Sequence, residues 1–224
     1  MHDSVRMPVD RLTPARRREL TRSALVEAAA EVFARRGFHA ASLDEIALNA
    51  GFTRGAIYSN FGGKEDLLIA VLDLFTQQQL EAFGEAINPP GGASLEARQA
   101  AAGTVWAATQ REQNLAALSL EMRLYALRNT EFRRRLADAE RRQQERIAAF
   151  IRDVASAEGR SLTVDAIDLA HILRGFSDGL SQLAAVDSER RDYYNTLATR
   201  FFGLIEKAMA AEEPADEKAM KPRA

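Results

Sequence analysis

The side chains best suited to chemistry lie in a short segment between residues 53 and 60. Arg54 and Asn60 can reach phosphates or the edges of bases, and Tyr58 can donate to a phosphate or pack on a thymine methyl group. The other outward residues of this segment are small: Gly55, Ala56 and Ser59. Such a surface suits a DNA major groove, which is about 12 Å wide. The segment therefore indicates contact with double-stranded DNA.

Residues that suit phosphates flank this segment. Ser42 and Thr53 place hydroxyls and backbone amides at predicted helix starts, where anions are favoured, and Lys64 adds a charge at the start of a further helix. N-terminal arginines could follow the DNA backbone or enter a minor groove: Arg11, Arg16, Arg17, Arg18 and Arg22. The run 16–18 is equally consistent with a solvated helix face, and both interpretations stay open.

Two short helices must position these groups. Ser42 and Glu45 form the Ser-x-x-Glu pattern of a capping box, which predicts a short helix ending at Gly51. Thr53 is the expected N-cap of the next helix, and Phe52 with Ile57 forms the pattern of a hydrophobic staple. A glycine-containing turn between two short helices predicts a helix–turn–helix. The expected inward residues of this unit are Leu43, Ile46, Ala47, Ala50, Phe52 and Ile57.

Two longer helices frame this unit. The first is predicted to start near Pro14 and to stop before Gly37, beyond which Phe38 can fold back. Its apolar face comprises Leu25, Ala28, Ala29, Val32 and Phe33. The other follows Gly62-Gly63 and is predicted over 64–83, with Leu67, Leu68, Val71, Leu72, Leu74 and Phe75 on one face.

The segment from Arg16 to Leu68 resembles the TetR (tetracycline-repressor-like) family of bacterial regulators. The motifs that carry the resemblance are SLDEIA at 42–47, GFTRGAIYSNF at 51–61 and KEDLL at 64–68. The resemblance implies an all-α homodimer with an N-terminal DNA-binding domain and a C-terminal domain for an inducer and the sister subunit. By position it implies DNA contacts at Ser42, Thr53, Arg54, Tyr58, Ser59 and Lys64. Two departures are Asn60, where members often carry His, and the soft Gly62-Gly63 linker.

Composition excludes several other classes of protein. The chain has 224 residues, no Cys and 46% hydrophobic residues, and it shows neither a long apolar run nor a secretory leader, so we expect a cytoplasmic protein with no membrane association. No cluster of His, phosphate loop or nucleophile elbow is present, so we expect neither an enzyme nor a metal or other cofactor. The net charge of −2 hides +3 over residues 1–64 and −5 over the rest. That asymmetry is consistent with a DNA-binding head and a body that discourages non-specific binding.

The second half of the chain is predicted to hold about five helices after the break at 88–92. A helix around 115–127 is apolar on nearly all sides and should be buried, which requires partners for Glu121 and Arg123. A charged helix follows over 130–157, where we interpret Arg133–Arg135, Arg141 and Arg142 as a solvated face rather than a second DNA patch. Two further helices, 163–186 and 188–211, are by resemblance the dimer interface. An ordinary intrachain hairpin is the alternative.

We therefore expect a DNA-binding domain over 1–66, a ligand-binding and dimerisation domain over 67–211 and a disordered tail over 212–224. The candidate inducer contacts are Trp106, Leu120, Arg123, Tyr125, His171 and Phe176. Each of them is also consistent with an ordinary core residue, which is the favoured interpretation, and His171 in particular with a buried, hydrogen-bonded histidine on an apolar stripe. The predicted function is a homodimeric repressor of a palindromic operator, released by a small molecule, with the helix over 64–83 as the lever. A helical sequestering protein that does not bind specific DNA is the alternative.

Overall fold

The computed structural model describes residues 13–89, 91–109 and 113–208, and in those ranges every regular element is helical. The helices are α1 (Pro14–Ala40), α2 (Leu43–Asn49), α3 (Arg54–Asn60), α4 (Lys64–Ile87), α5 (Leu95–Thr109), α6 (Gln113–Arg128), α7 (Thr130–Ala157), α8 (Ala166–Val186) and α9 (Arg191–Ala208). A 3-10 turn over Ser188–Arg190 precedes α9. The predicted all-α class is confirmed. Arg11 and the expected tail over 212–224 lie outside the described residues, and no described helix has the length and apolarity to cross a membrane.

Contacts within the chain divide it into two units, the first ending at Leu74 and the second beginning at Phe75. The boundary falls inside α4, which begins at Lys64 as expected and continues four residues beyond the predicted end. The core of the first unit is formed by apolar residues of α1 to α4: Leu25, Ala29, Val32, Phe33, Ile46, Ile57, Leu67, Leu68 and Val71.

A break at Gly37 separates most of α1 from its last residues. Gly37 has φ +74° and ψ 170°, a backbone conformation that glycine adopts without steric cost. The break lets Phe38 turn back and become buried, with its ring 5.9 Å from that of Phe33. The interpretation of Gly37 as the end of the first helical stretch is therefore confirmed.

In the second unit, α5 packs on α9 and α7 packs on α8. The α5–α9 contact is close because each helix offers a glycine. A Cβ added at Gly103 would lie 2.0 Å from Thr199 Oγ1, and one added at Gly203 would lie 2.9 Å from Gln99 Oε1. The predicted solvated face of α7 is confirmed for four arginines, which are exposed: Arg133, Arg134, Arg141 and Arg142.

Two expectations about burial in the second unit are wrong. Helix α6 buries only one side, through Leu118, Met122 and Ala126, while Leu120, Leu124 and Leu127 are 45%, 49% and 70% exposed within the chain. A helix with apolar residues on all sides need not be buried on all sides within its own chain.

The second error concerns His171, which is exposed rather than buried. The buried residues of α8 include Ala170, and the next residue is turned about 100° around the helix axis, which brings His171 to the surface. Its Nδ1 lies 2.7 Å from the carbonyl oxygen of Ile167, one turn earlier on the same helix.

Candidate DNA interface

The helix–turn–helix is held from its inner side. Ile46, Ala47 and Ile57 are buried, and the backbone N–H of Phe52 donates to the carbonyl of Ala47 at 2.9 Å across the turn. Gly51 makes that turn possible with φ +72°. The side chain of Phe52 stays 39% exposed, so it contributes less to this core than the staple pattern predicts.

Hydroxyl caps define where α2 and α3 begin. Ser42 Oγ accepts from the backbone N–H of Glu45 at 3.1 Å, and Thr53 Oγ1 accepts from that of Ala56 at 3.4 Å. Both N-caps predicted from the sequence are confirmed, but the capping box of α2 is only half formed. The Glu45 carboxylate accepts instead from Arg35 Nη2 at 2.9 Å and Arg36 Nε at 3.4 Å. The hydrogen bond from Arg35 and the charge of Arg36 lower the pKa of Glu45.

The outward surface of α3 carries an arginine held at two points. Arg54 Nη2 donates to Tyr58 Oη at 3.1 Å, and Arg54 Nη1 donates to Asp44 Oδ2 of α2 at 3.2 Å. All three side chains are exposed, with Tyr58 53% accessible. The hydrogen bond to Tyr58 and the charge of Asp44 raise the pKa of Arg54, so its guanidinium keeps its positive charge. This arrangement presents a fixed cation beside a phenol at the protein surface.

The last turn of α3 binds its own backbone. Ser59 Oγ and Asn60 Nδ2 both donate to the carbonyl of Ala56, at 3.0 and 2.8 Å. Asn60 Oδ1 is buried without a hydrogen-bond partner among the described residues. The Asn60 amide is therefore directed at the helix, whereas Arg54 and Tyr58 project outward.

Two arginines of α1 meet the C-terminal end of α3. Arg22 Nη1 donates to the carbonyl of Asn60 at 3.0 Å, and its guanidinium lies 4.2 Å from the centre of the Phe61 ring. Arg18 Nη2 lies 3.5 Å from the carbonyl of Ser59. Positive charge at a helix C-terminus is favourable because the carbonyl groups there carry partial negative charge. Sequence reasoning missed this role, for which the only signal was the four-residue spacing of the two arginines.

Lys64 lies where α4 begins and contacts the α1–α2 connection. Its Nζ donates to the carbonyls of His39 and Ala41, at 3.1 and 2.9 Å, and lies 4.8 Å from the centre of the Phe38 ring. These contacts tie the beginning of α4 to the segment that leads into α2.

The structure explains why the first residue of the Gly62-Gly63 linker is glycine. The backbone N–H of Gly62 donates to Asp66 Oδ2 at 2.7 Å, and a Cβ at Gly62 would lie only 2.5 Å from that oxygen. Glycine at position 62 therefore leaves room for the Asp66 carboxylate to accept this hydrogen bond in the loop before α4.

One candidate inducer contact, Phe176, lies on α8, and two others contact the two residues that follow it. Trp106 Nε1 donates to Ser177 Oγ at 3.3 Å, and the Phe176 ring stacks on that of Phe201 at 3.7 Å. Arg123 Nη2 pairs with Asp178 Oδ2 at 2.5 Å, which supplies the partner that its position on an apolar helix requires.

The Arg123–Asp178 pair belongs to a larger polar network of α6, α7 and α8. Arg174 of α8 pairs with Asp178 at 3.1 Å and donates to the buried Gln143 at 3.0 Å. Glu140 of α7 lies 3.6 Å from both arginines. The charges of these groups balance within the network.

The other three candidates lie apart from residues 176–178 of α8. Leu120 is on the exposed side of α6, and His171 is on the exposed side of α8. The Tyr125 ring lies 5.1 Å from that of Phe132, and its hydroxyl accepts from Asn129 Nδ2 at 3.1 Å.

A helix–turn–helix with an exposed arginine and tyrosine, followed by a separate helical unit, defines a helical DNA-binding protein with a second domain. The family model for bacterial regulatory proteins of the TetR family matches residues 25–71, and that for the C-terminal region of BetI-type transcriptional repressors matches residues 95–217. The second match alone covers more than half of the chain. The chain belongs to the TetR family of bacterial regulatory proteins and is a transcriptional regulator.

Individual relatives agree with this assignment. The regulator SrpR of Pseudomonas putida is 52% identical over 54 residues, which are 24% of this chain and 25% of SrpR. The repressor BepR of Brucella suis biovar 1 (strain 1330) is 36% identical over 96 residues, 42% of this chain and 46% of BepR. The chain thus spans less than half of either relative. The crystal structure of a TetR-family regulator from Rhodococcus sp. shares the fold, with a TM-score of 0.66 and 20% identity over 84% of this chain and 98% of that one.

Proposed function

We propose that the protein is a repressor that binds a palindromic operator as a homodimer and leaves it when a small molecule binds the second unit. The observation that carries the proposal is the surface of α3, where Arg54 and Tyr58 project outward while Ile57 is buried behind them. In this proposal the first unit forms the DNA-binding domain, and the chain beyond it as far as residue 211 forms the ligand-binding and dimerisation domain. The boundary expected after residue 66 falls before Leu67 and Leu68, which belong to the core of the first unit.

The proposed contacts follow from the hydrogen-bond inventory of α2 and α3. The arginine can donate to guanine or phosphate, and Tyr58 keeps a hydroxyl proton to donate because its oxygen accepts from Arg54. Ser42 and Thr53 use their oxygens to cap helices, so their hydroxyl protons remain available to phosphates. Ala56 and Ser59 complete the proposed surface, whereas the amide of Asn60, expected there from the sequence, is turned to the carbonyl of Ala56. Lys64 remains a proposed DNA contact, and it also holds the α1–α2 connection through the carbonyl of Ala41.

Exposed apolar residues of α8 and α9 support the homodimer. Ile172, Leu183 and Val186 on α8 are 53%, 56% and 88% exposed within one chain, and Leu204 on α9 is 63% exposed. Covering such residues is favourable at about 25 cal/mol per Å² of apolar surface removed from water. A two-fold dimer would place two copies of α3 on half-sites about 34 Å apart, which a single short helix–turn–helix cannot do. Sedimentation of the protein measures the expected dimer directly.

The proposed inducer region is the stretch 176–178 of α8, which includes Phe176 and contacts Trp106 and Arg123. Aromatic rings beside a charge-paired polar network suit a small molecule with an apolar body and one polar end. Binding there releases the operator only if the ligand prefers a conformation that does not fit DNA. Operator and inducer must then weaken each other by the same factor.

The experiment that tests DNA binding compares the wild-type dimer with Tyr58→Phe and Tyr58→Ala on the promoter beside its own gene. We expect a sequence-specific mobility shift for the wild type, a weaker shift for Tyr58→Phe, which lacks only the hydroxyl, and the weakest for Tyr58→Ala. Since Tyr58 is exposed, both variants should keep the wild-type melting temperature. Absence of a specific shift there and in a genomic selection would favour a sequestering protein, and a large loss of stability would show that Tyr58 supports the fold.

A further inference from the structure

The acidic residue that contacts Arg54 is in an unusual place for a DNA-binding surface. Asp44 belongs to α2, is 69% exposed, and is 3.2 Å from the arginine through which α3 is proposed to contact DNA. A carboxylate repels phosphates, so at such a position it lowers affinity for DNA in general. The other acid in the first turn of α2, Glu45, is paired with Arg35 and Arg36.

We propose that Asp44 is a specificity-determining residue: it holds the Arg54 guanidinium for base contact and opposes its attraction to phosphates. The inference rests on the proposed DNA-binding function and concerns how that surface distinguishes one DNA sequence from another. Asp44 itself acts through Arg54 and is therefore a positioning residue.

The positioning argument begins with the geometry of the guanidinium. Asp44 and Tyr58 each accept one N–H of Arg54, at 3.2 and 3.1 Å, which leaves three of the five arginine N–H donors for DNA. An unrestrained arginine loses side-chain freedom when it binds, whereas one already held at two points loses less. The planar guanidinium can then meet the O6 and N7 acceptors of guanine together, a contact that depends on orientation.

The electrostatic argument concerns DNA of the wrong sequence. A lone arginine at the surface binds any phosphate, which raises affinity for all DNA alike. Beside Asp44 its charge is largely balanced, so the pair contributes little to phosphate binding. The gain from Arg54 is then restricted to sites that offer base acceptors in the matching position, and specificity rises at the expense of general affinity.

The test uses Asp44→Asn, which keeps the shape of the side chain and removes its charge. Glu27→Gln is the matched control, since Glu27 is an exposed acid of α1 in the same unit. Dissociation constants are measured by fluorescence anisotropy at one salt concentration. The probes are a duplex selected from genomic DNA by the wild-type protein and a shuffled duplex of equal length and composition.

We expect Asp44→Asn to bind the shuffled duplex about threefold more tightly and the selected duplex about tenfold more weakly, with effects of opposite sign. Glu27→Gln should change both constants by the same small factor. In an Arg54→Ala background, Asp44→Asn should no longer weaken binding of the selected duplex, because the residue it positions is gone.

Equal factors on both duplexes for Asp44→Asn would overturn the proposal and reduce the pair to a surface ion bridge. Weakening that persists in the Arg54→Ala background would also overturn it, because Asp44 would then act on DNA without Arg54. A wild-type protein that does not distinguish the two duplexes would overturn the proposed function itself, a result separate from either of these.

Discussion

The contact of Arg22 with the end of α3 leads to a prediction that separates two roles for an arginine near DNA. Arg22 could bind a phosphate, as basic arms do, or it could hold α3 in place through the carbonyl of Asn60 and the ring of Phe61. Replacement by methionine keeps an unbranched, flexible side chain and removes the charge and every N–H donor. The two roles then predict different salt dependences of operator binding.

The structure sets the size of the effect. A hydrogen bond from a charged donor contributes about 1.5 kcal/mol or more, which we reduce to about 1 kcal/mol because Arg22 is exposed. Its contact with the Phe61 ring adds about 0.5 kcal/mol at such a site. We therefore expect Arg22→Met to lower the free energy of unfolding by about 1.5 kcal/mol, and to weaken operator binding by about tenfold if α3 must be reordered on DNA.

The decisive measurement is the slope of log K against log salt for the operator complex. If Arg22 positions α3, Arg22→Met should bind the operator more weakly at every salt concentration but keep the wild-type slope. A phosphate contact predicts a slope smaller in magnitude by about 0.9 for each protomer, with no loss of stability, and that result would refute the reasoning. Arg22→Lys is the control, because it keeps the charge but presents no planar group to Phe61; we expect it to restore only part of the lost stability.

Two further predictions concern stability. Gly103→Ala places a Cβ 2.0 Å from Thr199 Oγ1. Although alanine has the better helix propensity, we expect this clash to lower the free energy of unfolding by about 1–3 kcal/mol, as measured by denaturant titration. An unchanged free energy of unfolding would show that the α5–α9 contact can relax. Glu45 has a pKa below its ordinary value in the folded protein, so its contribution to stability is present at neutral pH and is lost as acid protonates the carboxylate. Glu45→Gln should therefore be less stable than the wild type at neutral pH, with the difference shrinking below about pH 4, and a constant difference across that range would contradict the assignment.

Features with local causes could be predicted from the sequence. The hydroxyls of Ser42 and Thr53 cap the helices that follow them, and α7 runs over Thr130–Ala157 as expected. Each depends on residues within a few positions, where spacing alone determines which groups meet. The outward position of Tyr58 follows from the same periodicity, once Ile57 is known to be inward.

Features that depend on distant parts of the chain could not be predicted. The partner of Arg22 is 38 residues away, and the carbonyl of Ala41 is 23 residues from Lys64. Nothing in the spacing of these residues indicates that they meet. The exposure of Leu124 on α6 is a related case. The sequence does not distinguish an apolar residue that is buried within its own chain from one that is exposed there.

The partners of the basic residues also change what the charge of the N-terminal region means. Its excess of +3 over residues 1–64 suggests a surface that binds DNA by charge. In the structure, however, Arg35 is paired with Glu45, Arg54 with Asp44, and both Arg22 and Lys64 donate to backbone carbonyls. These basic side chains therefore also hold the helix–turn–helix together, and the N–H donors that they use for this are not available to phosphates. Affinity must then depend strongly on the shape and hydrogen bonds of α3, which is why the salt slope of Arg22→Met and the specificity ratio of Asp44→Asn are more informative than affinity alone.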